Sequence, residues 1–152
     1  MIPVYQKNLI AKFTLSFFKI SLFFLSLIVV LNLFEEISFF KNTNSSSFLP
    51  LYITLLNAPS VLFDIFPFVF LISTMHFFME ILDKDELIIY KTYGLTNFKI
   101  IKTISLTTVV ISFFLVFFFY NISSALKFLY LDIKNDYATD SKYLAVVTAN
   151  GL

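Results

Sequence analysis

The chain has 152 residues, of which 59% are hydrophobic, 22 are Phe and only 14% are charged, against about 25% in an ordinary soluble domain. So apolar a chain cannot cover itself in water, and its high apolar content with a formal net charge of +1 excludes intrinsic disorder. With no Cys, one His and no Arg (all 11 basic residues are Lys), no disulfide framework, thiolate, multi-His metal site or basic nucleic-acid-binding patch is available.

Residues 1–12 carry Lys7 and Lys12 and read as an interfacial N-terminal segment. Phe13–Leu33 is the first of three runs that reach the about 20 apolar residues needed to cross a ~30 Å hydrocarbon core. Its one charge, Lys19, can snorkel to the headgroups on its four-carbon stem, a functional role being the alternative. The run exceeds a signal-peptide core and is followed by Asn32-Leu-Phe-Glu-Glu36 instead of a small-x-small cleavage site, so it is expected to be retained. Residues 34–60 are predicted as a connection outside the membrane, with Asn42–Ser47 as a solvated turn.

The second span is expected over residues 61–82, with Pro59 at its start and Pro67 as an internal kink. Asp64 reads as an interfacial or capping carboxylate, or else as part of a transport cavity; His76 reads as a helix–helix hydrogen-bonding group, or else as a proton relay. The third span is expected over residues 98–120, with Lys99 and Lys102 at its start. Residues 121–152 end in the β-prone Lys142–Thr148 and an Asn150-Gly151 turn signal, which together predict the beginning of a β-rich extracytoplasmic domain. The predicted fold class is an all-α multi-pass membrane protein with three transmembrane helices and one short helix in the second connection.

Lys7, Lys12, Lys84, Lys91, Lys99 and Lys102 fall on one side of these spans, and Lys41, Lys127, Lys134 and Lys142 on the other. The excess places the N-terminus and the 83–97 loop in the cytoplasm, since acidic residues count little toward orientation. In that loop, Asp83-Lys-Asp-Glu-Leu-Ile-Ile-Tyr-Lys-Thr-Tyr-Gly94 reads as a short helix. Asp83 and Glu86 have capping-box spacing, Lys91 suits the last turn, and Gly94 suits the residue just past the end. Leu87, Tyr90 and Gly94 share one face, flanked by Ile88 and Ile89, so the helix either lies in the interface or fits a groove on another protein.

Pro59-x₇-Pro67, then Glu86-Leu87 and Gly94-Leu95-Thr96, in joint spacing with Leu33-Phe34-Glu35-Glu36-Ile37, resembles the lipopolysaccharide-export permease family LptF/LptG. Asn150-Gly151-Leu152 resembles the start of that family's periplasmic jellyroll, in the LptG manner more than the LptF. The resemblance implies a membrane subunit of an ABC transporter that extracts lipopolysaccharide from the inner membrane and passes it to a periplasmic bridge for outer-membrane assembly. It implies as partners an LptB-type ATPase dimer, the complementary LptF/LptG-type permease and an LptC-type bitopic protein, with lipopolysaccharide and membrane lipid as ligands. By the same carry-over Glu86, Leu87, Tyr90 and Gly94 belong to an ATPase-coupling helix, with Glu86 at the position whose carboxylate fits the ATPase groove, and Lys41 is the available lipid contact. Six spans around the jellyroll are the family pattern, so this chain is expected to supply the N-terminal three.

No catalytic residue, metal or cofactor is expected. The chain has only two Gly and no Walker motif, so ATP hydrolysis is assigned to a separate subunit. Two other readings stay open: a permease half of another ABC exporter class, and a small three-span accessory or structural protein.

Overall fold

The computed structural model describes residues 4–41 and 48–137, and every regular element among them is helical. These are α1 (Val4–Phe40), α2 (Leu49–Asp64), α3 (Phe66–Asp83), α4 (Glu86–Thr92), α5 (Asn97–Phe114), a π-helical turn (Leu115–Phe119) and α6 (Tyr120–Tyr137). Three helices are long and apolar enough to cross a membrane: Val4–Phe40, Phe66–Asp83 and the continuous Asn97–Tyr137. The Asn42–Ser47 turn, the Lys142–Thr148 strand and the Asn150-Gly151 turn predicted above lie outside the described residues.

The first and third spanning helices run longer than the apolar stretches alone predict. With no Gly or Pro between Val4 and Phe40, nothing stops α1, whose 37 residues reach about 55 Å against a ~30 Å core. Residues 34–60, expected as the connection between the first two spans, contain most of α2. Pro50 occupies the first turn of that helix, where its missing N–H is harmless, and Ile53, Leu56 and Ser60 recur on its buried face.

The two prolines exchange the roles expected of them. Pro59 is interior to α2, whereas Pro67 sits in the first turn of α3 and starts that helix instead of kinking it. The break between the helices falls at Ile65, with φ −98° and ψ 5°. Residues 121–137, expected as the segment after the third span, are helical as well. Their Ser123, Tyr130 and Lys134 lie on one buried helical face, so α6 continues the third span instead of leaving it.

Several threonine hydroxyls inside these apolar helices find partners locally, whereas the buried hydroxyls of Ser16, Ser21, Ser73 and Ser123 have none among the described residues. Thr54, Thr74, Thr103 and Thr107 each donate to the carbonyl four residues earlier, at 2.7–2.8 Å. Phe113–Phe117 and Phe114–Phe118 pair at centroid separations of 4.4 and 4.6 Å across the start of the π turn.

The chain forms two compact units. One contains α1 through Phe24 and the chain from Asp64 to Phe118. Its core gathers Leu9, Phe13, Phe77, Ile81, Tyr90, Leu95, Ile100 and Ile104, with Phe13 and Phe77 edge to face at 5.5 Å. The other contains Leu25–Phe63 and the chain from Phe119. Its core gathers Phe40, Ile53, Leu56 and Tyr130.

Candidate functional site

The α3–α4 turn is made by local backbone chemistry. The Lys84 N–H donates to Glu80 O and the Asp85 N–H to Leu82 O, and Asp85 then enters the left-handed region at φ 52°. Asp is among the few side chains that tolerate this conformation. α4 therefore starts at Glu86, and the expected Asp83–Glu86 capping box does not form. Asp83 is still the last residue of α3, and Asp85, at the cap position, makes no side-chain cap bond. Glu80 accepts from Lys84 Nζ at 2.6 Å and raises the affinity of that ammonium for its proton.

The other end of α4 has the stop that its glycine predicts. Gly94 takes φ +78°; its N–H donates to Lys91 O at 2.9 Å and the Leu95 N–H to Tyr90 O at 3.1 Å. These two bonds, with Tyr90 and Leu95 sharing the core, make a Schellman motif. The Thr96 hydroxyl then accepts from the Lys99 N–H at 3.4 Å and starts α5.

Between these stops α4 has two different faces. Tyr90 is 5% exposed in the core and Leu87 packs against that core. Glu86 accepts from Lys12 of α1 through both carboxylate oxygens. One turn away on each helix, Asn8 Nδ2 donates to the Tyr90 hydroxyl at 3.1 Å. Burial raises the Tyr90 phenol above its ordinary value; Glu86 adds to the shift, while Lys12 and Asn8 oppose it. On the outer face Ile88, Ile89 and Tyr93 are 60%, 52% and 68% exposed.

Of the four residues expected to couple α4 to a partner, Glu86, Leu87 and Tyr90 thus converge on the chain's own α1 and core, and Gly94 shapes the helix end. Sequence reasoning left Lys12 and Asn8 out of the site. Their i,i+4 spacing matches that of Glu86 and Tyr90, but nothing local connects two helices more than seventy residues apart.

A second polar constellation lies in the other unit. Glu36 Oε1 accepts from Lys134 Nζ at 2.8 Å and from the Tyr130 hydroxyl at 2.9 Å, and Lys134 also donates to that hydroxyl at 2.7 Å. Glu36 Oε2 is buried with no hydrogen-bond partner among the described residues. Lys41, the candidate lipid contact, is exposed directly after α1. Lys19 and His76 are exposed, and Asp64 is exposed as the last residue of α2. Among the described residues, no group of three His, Cys, Asp or Glu is placed to hold a metal. On α3, Phe70, Leu71, Thr74, Met75, Phe78, Met79 and Leu82 line an open apolar groove of about 580 Å³.

A family profile described as "Lipopolysaccharide export system permease LptF/LptG" matches residues 7–150. No curated protein and no solved structure matches the chain.

Proposed function

The chain belongs to the lipopolysaccharide-export permease family LptF/LptG, and from that premise we propose that α4 is the helix through which a separate ATPase drives it. Members of this family are membrane permeases of a lipopolysaccharide-exporting ABC transporter, and the three apolar helices fit a multi-pass inner-membrane subunit. The partners are an LptB-type ATPase dimer, the complementary LptF/LptG-type permease and an LptC-type protein. Lipopolysaccharide leaves the inner membrane through the assembled complex toward a periplasmic bridge. The Lys distribution puts the N-terminus and α4 on the cytoplasmic side, facing that ATPase.

The observation that carries the reading is the two-faced α4. A seven-residue helix with a defined stop presents Ile88, Ile89 and Tyr93 outward, while Glu86, Leu87 and Tyr90 hold it to the rest of the chain. A short amphipathic helix presented this way suits a groove on a partner. Lys41, exposed just beyond α1, is the residue we assign to anionic headgroups on the opposite side.

Substitution of the outward face tests this. Ile89→Asp and Tyr93→Asp alter exposed side chains, so the permease itself should keep its helicity and melting behaviour. Co-purification of the LptB-type subunit from detergent-solubilised membranes should fall by about tenfold or more, the range expected when a charge enters an apolar contact. Undiminished co-purification with both variants, or ATP hydrolysis by the isolated chain, would refute the assignment.

A further inference from the structure

Lys12 of α1 donates to both carboxylate oxygens of Glu86, and one turn away on each helix Asn8 donates to the Tyr90 hydroxyl at 3.1 Å. The two contacts differ in burial. Tyr90 is 5% exposed and shares the core with Leu9, whereas the Lys12 and Glu86 side chains are 29% and 20% exposed. Tyr90 therefore anchors α4, and the ion pair lies at an edge that solvent reaches.

Glu86 also stands on the border between the two faces of α4. Its neighbours three and four residues on are Ile89, 52% exposed, and the buried Tyr90. Tyr93, 68% exposed, follows one further turn along the same side. Glu86 is the first residue of the helix, so no helical turn precedes it to restrict its rotamers. Rotation about its side-chain bonds is enough to carry the carboxylate from Lys12 toward the face of Ile89 and Tyr93, with α4 itself at rest.

We propose that Lys12 is a latch on the coupling helix: it keeps the Glu86 carboxylate on α1 in the free permease, and docking of the ATPase exchanges Lys12 for the ATPase groove while Tyr90, bonded to Asn8, stays in place. The proposal rests on the coupling role assigned above to α4 and on the groove position that the family resemblance gives Glu86. What it adds is the competitor inside the chain. With both oxygens on Lys12 the carboxylate is not available to a partner, so the apparent ATPase affinity is lowered by the fraction of permease that is latched. A partly exposed ion pair is weak, and the factor is about two to five. The latch thus tunes engagement without forbidding it. The opposite arrangement, in which Lys12 presents Glu86 to the groove, requires the opposite sign.

The test titrates the LptB-type ATPase dimer onto this permease, paired with its companion permease in nanodiscs, and reads the dissociation constant. Lys12→Met keeps an apolar stem and removes the ammonium; it should tighten binding by about two- to fivefold. Lys12→Arg, whose planar fork grips both carboxylate oxygens, should weaken binding by about twofold. A merely structural role for Lys12 would not move the constant in opposite directions. Glu86→Gln should itself weaken binding, and adding Lys12→Met to it should change nothing further, because the latch has lost its carboxylate.

Unchanged or weaker binding by Lys12→Met, with helicity and melting intact, would overturn the latch. Tightening that persists in full alongside Glu86→Gln would overturn it too, since Lys12 would then act on the ATPase by its charge alone. Lys12→Arg that binds as tightly as the parent, or more tightly, would overturn it even where Lys12→Met failed to fold. A parent permease that binds no ATPase refutes the coupling role itself. A Glu86→Gln variant that binds like the parent refutes the groove position of Glu86, and the latch falls with it.

Discussion

Removing the Lys134 charge should be among the most damaging single changes in the chain. In Lys134→Met, Glu36 keeps only the Tyr130 hydroxyl at 2.9 Å, while its other carboxylate oxygen already lacks a partner. The side chains of Glu36 and Lys134 are 3% and 11% exposed, so solvent cannot replace the lost ammonium. Two charge-assisted hydrogen bonds disappear, to Glu36 and to Tyr130, each worth about 1.5–3 kcal/mol. Breaking a buried pair from one side costs about 3–5 kcal/mol, and we expect that range here. Glu36→Leu should cost a similar amount by removing the counter-charge of an ammonium that keeps the Tyr130 hydroxyl at 2.7 Å. The double variant should be far milder than the sum, within about 1–2 kcal/mol of the parent, because no uncompensated charge remains. Since the chain has no Trp, unfolding is best followed by helical circular dichroism during titration from mild detergent into dodecyl sulfate. Single-variant losses below about 1 kcal/mol, or losses that simply add in the double variant, would refute this account of Glu36 and Lys134.

The same unfolding assay addresses the ends of α4. Gly94→Ala should cost about 1 kcal/mol through its backbone alone, because a Cβ there meets open space but φ is +78°. Asp85→Gly should be neutral to within about 0.5 kcal/mol, since relief at φ 52° is offset by freedom gained in the unfolded chain. Tyr90 makes the docking of α4 sensitive to alkali. A phenol whose proton affinity is raised on folding contributes stability that is full below the unfolded value of about 10 and is lost as pH rises through the higher folded value. The melting temperature of the parent should therefore fall more between pH 9 and pH 11 than that of Tyr90→Phe. Equal falls would show that folding does not raise the proton affinity of Tyr90 and would refute this account.

The membrane spans were legible because the hydrocarbon thickness dictates a length of apolar sequence, and the stop at Gly94 because left-handed backbone selects glycine. What escaped were features decided by contacts between distant parts of the chain. α6 was hidden because Asn121, Lys127, Asp132 and Asp136 look like solvated loop; its helical period is carried by Ser123, Tyr130 and Lys134, two of them polar. α2 was hidden behind a proline whose role was assigned to the wrong helix. Neither ion pair between helices could be read locally, since one joins residues 74 apart and the other residues 98 apart.

Helix phase nevertheless held part of the answer. Glu35 and Glu36 are adjacent and chemically alike, yet Glu35 is exposed and Glu36 is 2% exposed. Once α1 is helical through Phe40, Glu36 falls on the four-residue row that contains the buried Ile28 and Phe40, and Glu35 does not. An acid on a buried apolar row requires a basic partner. In a chain without Arg that partner has to be a lysine placed on an inward row of another helix, where a single ammonium can serve both the carboxylate and a neighbouring hydroxyl. Lys134, one turn beyond Tyr130 on the buried face of α6, meets that requirement. The phase of a charge within its helix, more than its side of the membrane, thus separates the lysines that anchor helices to one another from those that only mark orientation.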